Sequence, residues 1–237
     1  MKIVGFIPNW SGYEFGGAGD CSRPTTKVGG NYLISYAVEL LNSVNLISEI
    51  IVFSSSEEIM NYIDPALSCK HLKRPAALDS DTVHIEEIIQ SFISVSSADI
   101  IVMLHPNSPF LTKESVEDCL ANVLSGKHSS AFTACKHNSF AWFNGSPLNY
   151  SIGKPTPHLR DLVPVVLEQS SLFVFTRENF HEYTSRVSPE PFIRYIDYFE
   201  AHGINSAHEL DIAEILVNSG LVKKSIPGSR NRKVLVD

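Results

Sequence analysis

The chain has 237 residues, of which 43% are hydrophobic and 19% are charged, and its formal net charge at pH 7 is −7. This length and composition are typical of one soluble α/β domain with a sizeable core. The negative balance argues against nucleic acid or an anionic membrane as the main partner, but it leaves room for a local basic pocket that binds a small anion.

The cysteines and the apolar runs indicate the cellular compartment. Cys21, Cys69, Cys119 and Cys135 are scattered along the chain with no C-x-x-C pair, which is typical of reduced thiols. The apolar run after Lys2 is too short for a signal peptide, and no stretch is long enough to cross a bilayer. We therefore expect a cytoplasmic protein that has no membrane partner.

The first half of the chain alternates between short apolar runs and amphipathic stretches. The runs predict buried strands at 2–8, 49–55, 98–106 and 129–137. Helical spacing of apolar residues predicts helices at 33–44, 57–64, 85–93 and 116–124, with Thr112 as the N-cap of the last one. This order predicts a doubly wound, mostly parallel α/β sheet with helices on both faces.

The second half changes character. Residues 138–170 place aromatic side chains among asparagine, glycine and proline, which predicts a small irregular excursion that serves as a lid, an acceptor pocket or a dimer arm. A strand is predicted at 171–175, and helices at roughly 190–201 and 207–219. We expect one domain over residues 1–222, followed by a basic tail at 223–237 without chemistry of its own.

A long glycine-rich segment lies between the first strand and the first helix. Residues 9–30 contain six glycines, and backbone N–H groups in such a loop can form a nest for phosphates. Arg23, Lys27 and Arg74 would neutralise the phosphate charge. Because loops at the carboxyl ends of parallel strands meet in one crevice, we expect this loop to lie near 73–82, 105–110 and the segment that opens the last helix.

Four segments, read in chain order, carry a resemblance to a known family. "RPAALDSDT" matches the family's motif at Arg74, Pro75, Leu78, Asp81 and Thr82, and "HPNSPF" matches at Pro106, Ser108 and Pro109. Glu168 precedes a strand as a family glutamate does, and "INSAHELDIAEIL" matches the family's last motif in frame. The chain therefore resembles the CMP-sialic acid synthetases and related sugar-acid cytidylyltransferases over roughly residues 2–217.

The resemblance implies a Rossmann-like nucleotidyltransferase fold, CTP and a small anionic acceptor as substrates, Mg²⁺ as a cofactor, and a homodimer. It also implies roles for individual residues. The expected catalytic residues are Arg23, Lys27 and His105; the expected nucleotide contacts are Pro8, Asn9, Ser11, Gly12, Arg74, Ser80 and Asp81; the expected acceptor contacts are Pro106, Ser108 and Glu168; and the expected metal ligands are Asn205 and Glu209.

The chain departs from the family pattern at residues that carry chemistry. Arg23 takes the place of a lysine, Trp10 stands where an arginine is usual, and Gly203 and Asn205 stand where acidic residues hold Mg²⁺. Several assignments remain open at this stage, because Arg74, Ser108 and Glu168 each have a structural interpretation beside the functional one. His105 is either a structural histidine or a group that helps to deprotonate the acceptor, and Glu209 is either a helix cap or a metal ligand.

The leading hypothesis is a cytidylyltransferase that activates a carboxylated sugar acid with CTP, giving a CMP-sugar for surface carbohydrate synthesis and releasing pyrophosphate. A second hypothesis keeps the reaction but changes the acceptor to a phosphonate or a small phosphorylated molecule. A third hypothesis is a catalytically impaired protein that still binds the nucleotide. The altered loop and the altered metal motif motivate the second and third hypotheses.

Overall fold

The computed structural model describes residues 1–9 and 24–222. The strands in this part of the chain are β1 (Ile3–Pro8), β2 (Lys27–Val28), β3 (Asn31–Tyr32), β4 (Glu49–Ser54), β5 (Lys70–Lys73), β6 (Ile100–Leu104), β7 (Ser130–His137), β8 (Trp142–Phe143), β9 (Ser146–Pro147), β10 (Val165–Thr176) and β11 (Phe192–Tyr195). The helices are α1 (Leu33–Ser43), α2 (Ile85–Val95), α3 (Lys113–Leu124), α4 (Arg177–Tyr183) and α5 (Ala207–Ser219). Short 3-10 turns occupy Glu57–Tyr62, Ala76–Asp79 and Leu159–Asp161.

Seven of the described strands form one sheet in the order β11-β7-β10-β6-β1-β4-β5. β1 runs parallel to β4 and β6, β4 runs parallel to β5, and β11 runs parallel to β7. β10 alone in this sheet is antiparallel to its two neighbours, β6 and β7. The mostly parallel α/β sheet predicted from the sequence is therefore confirmed.

Alternate side chains of β1 point into two cores, one on each face of the sheet. Ile3 and Ile7 join a core with residues of α1 and α3. Val4 and Phe6 join a second core with residues of α2 and α4, where the Phe6 ring stacks on Phe92 with centroids 4.1 Å apart. A strand covered on both faces has to be apolar throughout, which explains the uninterrupted apolar run at the start of the chain.

Three predicted elements differ from the structure. Within the stretch predicted as helix at 190–201, residues Phe192–Tyr195 form strand β11 beside β7, and Pro189 and Pro191 favour extended backbone just before this strand. The helix predicted at 57–64 is a 3-10 turn, and α4 was not predicted. β10 begins at Val165, so the last residues of the predicted excursion pair with β7 instead.

The rest of the excursion is irregular, as predicted. Its β8–β9 hairpin turns through Asn144 and Gly145, which both have positive φ. Trp142 and Phe143 lie largely exposed on this hairpin. Residues 223–237, predicted as a basic tail, lie outside the described residues. In the described residues, no helix has the length and apolar character needed to span a membrane.

Candidate active site

A cleft of about 1150 Å³ opens at the carboxyl ends of the parallel strands. The residues that follow β1, β4 and β6 emerge together at this edge, because Pro8 lies opposite Phe53 and Phe6 lies opposite Met103 in the strand registers. The far side of the cleft is formed by the middle of β10, the end of β7 and the loop after α4. Ligands of open α/β sheets bind at this edge, so the cleft is the candidate active site.

One end of the cleft is built around Asn9. Its backbone N–H donates to the carbonyl of Phe53 over 3.0 Å, and its side-chain Nδ2 donates to Ser54 Oγ over 2.9 Å. These bonds fix the amide while leaving its buried Oδ1 without a hydrogen-bond partner among the described residues. Pro8 and Asp81 line the same end of the cleft. An unpaired buried acceptor is costly, so this oxygen is suited to receive a ligand donor.

Arg74 lies beside this end but is not part of the cleft lining. Its side chain is fully buried, and one guanidinium nitrogen forms an ion pair with Asp79. Its Nε and Nη1 atoms have no hydrogen-bond partner among the described residues. The predicted contact between Arg74 and the nucleotide is therefore not made from the cleft surface in this arrangement, and it stays a prediction.

His105 follows β6 and lies in the middle of the cleft edge. Its backbone N–H donates to the carbonyl of Ser171 over 2.9 Å, while the buried Nε2 of the ring has no partner among the described residues. Burial, and then the positive charge of Arg186, lower the pKa of His105 to about 3. The imidazole is therefore neutral near pH 7, and its Nε2 atom is free to form a hydrogen bond with a ligand.

Asn107, Asn205 and Glu209 form a polar cluster on the wall of the cleft near α5. Asn205 Oδ1 accepts a hydrogen bond from Asn107 Nδ2 over 2.8 Å. Glu209 Oε2 accepts from the Asn205 backbone N–H over 2.7 Å and from Ser206 Oγ over 2.9 Å. Ser206 Oγ in turn accepts from the Glu209 N–H, so the predicted capping interaction at the start of α5 is confirmed.

This cluster does not form a Mg²⁺ site by itself. Mg²⁺ requires several hard oxygen ligands in octahedral geometry, but the cluster has one carboxylate, and that carboxylate already caps the helix. In residues 1–9 and 24–222, no group of three or more histidine, cysteine, aspartate or glutamate side chains is placed to hold a metal. The assignment of Asn205 and Glu209 as metal ligands stays a prediction.

Arg186 is a cleft residue that the sequence did not single out. It lies in the loop after α4, and its side chain is 17% exposed and 3.9 Å from Glu168. The Arg186 Cζ atom lies 3.8 Å from the centroid of the Phe173 ring. No motif marks this arginine in the sequence. Only the fold, through a helix that was not predicted, brings it to the cleft.

The predicted site residues divide into three groups. Nine of them line the cleft: Pro8, Asn9, Asp81, His105, Pro106, Ser108, Glu168, Asn205 and Glu209. Lys27, Arg74 and Ser80 lie outside the lining; the Lys27 ammonium is 4.7 Å from the centroid of the Tyr32 ring, and the Ser80 hydroxyl is 2.9 Å from that of Thr82. Arg23, Ser11, Gly12 and Trp10 lie outside the described residues.

A comparison with protein families decides what kind of protein has this cleft. A profile of the cytidylyltransferase family matches residues 23–202, which is well over half of the chain. The chain belongs to the cytidylyltransferase family. This membership confirms the resemblance at the level of the family and makes the protein a nucleotidyltransferase; it does not select the CMP-sialic acid synthetases within that family. Among curated proteins, no sequence matches this cytidylyltransferase.

Solved structures share the fold of this cytidylyltransferase. A CMP:2-keto-3-deoxy-manno-octonic acid synthetase in complex with CTP matches with a TM-score of 0.65 and 13% identity, over 93% of this chain and 100% of its own. A 4-diphosphocytidyl-2C-methyl-D-erythritol synthase from Anaerococcus prevotii matches with a TM-score of 0.63 and 13% identity, over 92% and 96%. The bifunctional IspDF from Campylobacter jejuni matches with a TM-score of 0.64 and 10% identity, over 89% of this chain and 54% of its own.

Proposed function

We propose that this cytidylyltransferase transfers CMP from CTP to a hydroxyl group of a carboxylated sugar acid and releases pyrophosphate. The observation that carries the proposal is the cleft itself, which is large enough for a nucleotide and a second small molecule side by side. Family membership supports the transfer reaction, and the ordered motif matches of the sequence support a sugar acid as the acceptor.

The nucleotide is assigned to the end of the cleft that contains Asn9 and Asp81, together with the glycine-rich segment at 9–30. Asn9 Oδ1 is a buried acceptor without a partner among the described residues, so it suits the amino group of a cytosine or a ribose hydroxyl. Ser11, Gly12, Arg23, Lys27, Arg74 and Ser80 keep their proposed roles around the nucleotide, as predicted from the sequence.

The acceptor is assigned to the other end, with Pro106, Ser108 and Glu168. Its hydroxyl oxygen attacks the α-phosphorus in line, a new phosphorus–oxygen bond forms, and the bond from the α-phosphorus to the bridging oxygen breaks as pyrophosphate leaves. His105 stands between the two ends with a neutral ring and an unpaired Nε2. Because a ring with so low a pKa is a weak base, we assign it to orient the acceptor hydroxyl through a hydrogen bond while the hydroxyl proton is released to solvent, with reactant positioning as the main source of rate.

Mg²⁺ enters the proposal with the substrate, as the complex of CTP with the ion. The described lining of the cleft carries four carboxylates, Glu58, Asp81, Glu168 and Glu209, and one guanidinium, Arg186. The net negative charge of this lining would repel a free triphosphate, whereas the magnesium complex of CTP has a smaller negative charge and would be repelled less. The phosphate oxygens would supply ligands that Asn205 and Glu209 cannot supply alone.

The experiment is a pyrophosphate-release assay with CTP and Mg²⁺ and a panel of acceptors. The panel contains 3-deoxy-manno-octulosonic acid, N-acetylneuraminic acid and 2-aminoethylphosphonate. Release with a sugar acid supports the leading proposal, and release with the phosphonate alone supports the second acceptor class. If calorimetry shows that the folded protein binds CTP but no acceptor is turned over, the third hypothesis, an impaired protein that still binds the nucleotide, explains the result better. The altered metal motif is the observation that favours this third hypothesis.

A homodimer is part of the same proposal. Two segments carry exposed apolar side chains: the excursion, with Trp142 and Phe143, and the first half of β10, with Val166 and Leu167. Two-fold contact through such a surface would bury them and would place the excursion of one protomer near the cleft of the other.

A further inference from the structure

Arg186 differs from the other basic side chains of the described chain because it faces the cleft. Among the described residues that line the cleft, it is the one lysine or arginine. The cations predicted from the sequence as phosphate ligands, Lys27 and Arg74, lie outside that lining. Among the described residues, the positive charge that the cleft lining offers to a small anion is therefore that of Arg186.

The fold holds the loop that carries Arg186 from both sides. Helix α4 ends at Tyr183, and its C-cap residue, Thr184, adopts the left-handed conformation with φ 49° and turns the chain back towards the sheet. On one side, Asn179 Nδ2 donates to the carbonyl of Ser185 over 2.9 Å. On the other side, the Ser188 N–H donates to Ser130 Oγ over 2.8 Å. The arginine is thus positioned before any ligand arrives, which lowers the entropy cost of binding.

The guanidinium is poorly paired for a group with so little exposure. Its Cζ atom lies 3.8 Å from the centroid of the Phe173 ring, and its ion pair with Glu168 spans 3.9 Å. No hydrogen bond joins it to another residue of the part that the structure describes. Burial lowers the pKa of Arg186 from its ordinary value, which reports the cost of keeping this charge away from water. A planar anion with two oxygens would offset that cost through paired, charge-assisted hydrogen bonds.

The strand order places Arg186 at the acceptor end. β10 and β7 lie on one side of β6, whereas β1 and β4, which lead into the nucleotide end, lie on the other side. Arg186 reaches the cleft over Phe173 of β10, and Glu168 belongs to the same strand. His105, at the end of β6, lies between the two ends and is close enough to Arg186 to feel its charge.

We propose that Arg186 binds the anionic group of the acceptor and thereby selects acceptors that carry a carboxylate next to the reacting hydroxyl. This inference rests on the proposed cytidylyl transfer and adds the residue that recognises the acceptor. The Phe173 ring supports the guanidinium from behind, and Glu168 is left to bind acceptor hydroxyl groups. A carboxylate seated on Arg186 directs the attached sugar towards His105 and the nucleotide end.

The test compares the wild-type protein with Arg186→Gln, Arg186→Lys and, as a control for charge, Lys127→Gln, which changes an exposed lysine in the loop after α3. Circular dichroism establishes that each variant is folded. Steady-state rates are measured with CTP and Mg²⁺ against 3-deoxy-manno-octulosonic acid, N-acetylneuraminic acid and 2-aminoethylphosphonate. We expect Arg186→Gln to raise the acceptor KM by about ten- to a hundredfold.

Other parameters distinguish acceptor binding from a structural role. The Kd for CTP, measured by calorimetry, should change less than about twofold in Arg186→Gln, Arg186→Lys should recover part of the acceptor binding, and Lys127→Gln should match the wild type. An unchanged acceptor KM in Arg186→Gln would overturn the proposal, and so would an equal loss of CTP affinity. A loss restricted to the phosphonate assigns Arg186 to an anion but not to a carboxylate, which contradicts the selectivity proposed here.

A wild-type protein that turns over no acceptor would count against the proposed function but not yet against Arg186. In that case the binding of the same three acceptors is measured by calorimetry in the presence of CMP. Binding to the wild type that is lost in Arg186→Gln supports the arginine site. Binding of equal strength in both proteins, or no binding to either, rejects it.

Discussion

At the scale of single residues, the pKa of His105 has a consequence for stability that can be measured without any ligand. Burial and the charge of Arg186 lower the pKa of His105 to about 3 in the folded protein. An exposed histidine in the unfolded chain has a pKa of about 6.5. Between these two values the unfolded state binds a proton that the folded state does not bind, so the free energy of unfolding decreases as the pH falls.

We predict that His105→Gln makes the protein less sensitive to acid. In the wild type, this one group contributes a slope of up to about 1.4 kcal/mol per pH unit between pH 6.5 and pH 3. Glutamine keeps a polar side chain of similar reach but does not titrate, so that part of the slope disappears. Urea unfolding at several pH values measures it. His208→Gln, which changes an exposed histidine of α5, is the control, and equal slopes in all three proteins would refute the prediction.

The residues also show which parts of the site could be predicted from the sequence. The presence of Pro106, Ser108 and Asp81 in the cleft lining could be predicted because all three belong to motifs that occur in a fixed order along the chain. Arg186 was missed because it lies in an irregular loop whose position depends on packing over a long sequence distance. The burial of Arg74 was also beyond the sequence, since a lone arginine is usually read as exposed.

At the scale of elements, the β2–β3 hairpin contains two adjacent glycines in different surroundings. Gly29 and Gly30 both have positive φ, 56° and 88°, as a two-residue hairpin turn requires. A Cβ atom on Gly29 would come within 2.5 Å of Val217 Cγ1 in α5, whereas a Cβ atom on Gly30 would meet nothing within 4 Å. The Gly29 N–H also donates to Glu214 of α5 over 3.0 Å. The close approach of Gly29 therefore holds the hairpin against the last helix.

We predict that Gly29→Ala destabilises the protein by about 1–3 kcal/mol more than Gly30→Ala. Both substitutions strain the left-handed backbone to a similar degree, so their difference isolates the clash with Val217. Urea unfolding gives both free energies. If the two variants lost the same stability, the hairpin would not be packed on α5 as described.

Elements with strong apolar periodicity were predicted well, and elements that depend on neighbours were not. α1, α2, α3 and α5 each place an apolar stripe on a core, and such a stripe is visible in the sequence. β11 has only four residues, with no fully buried side chain. Its strand conformation comes from pairing with β7, and no local pattern records that pairing.

At the scale of the whole molecule, the exposed apolar side chains of the excursion test the proposed dimer. We predict a dimer of the 26.3 kDa chain in solution, and a monomer for the double variant Trp142→Ser with Phe143→Ser. The two rings are 57% and 66% exposed, so removing them should leave the fold intact and weaken only an interface. Light scattering on a sizing column measures the mass.

Leu46→Ser is the control for that experiment, since it removes another exposed apolar side chain, 55% exposed, from the loop between α1 and β4. It should leave the dimer unchanged. A wild-type protein that is monomeric at high concentration would contradict the prediction, as would a dimer that tolerates the double variant.

The whole molecule also explains why the general position of the site could be predicted. In a doubly wound sheet, the loops that follow the parallel strands lie next to one another at the carboxyl ends of those strands. Residues that are far apart in sequence therefore line one cleft, among them residues of 8–9, 81, 105–108 and 205–209. The proposed division of that cleft into a nucleotide end and an acceptor end depends on the place of β10 within the sheet. Strand order across an antiparallel insertion is not visible in a single sequence.

The most direct test of the central claim follows the phosphorus atoms of CTP. The protein is incubated with Mg²⁺, 3-deoxy-manno-octulosonic acid or N-acetylneuraminic acid, and CTP labelled with ³²P at either the α or the γ position. We predict that the α label appears in a CMP–acceptor conjugate and the γ label in pyrophosphate. The α label remaining in CTP, or appearing only in free CMP or CDP with every acceptor, would contradict cytidylyl transfer.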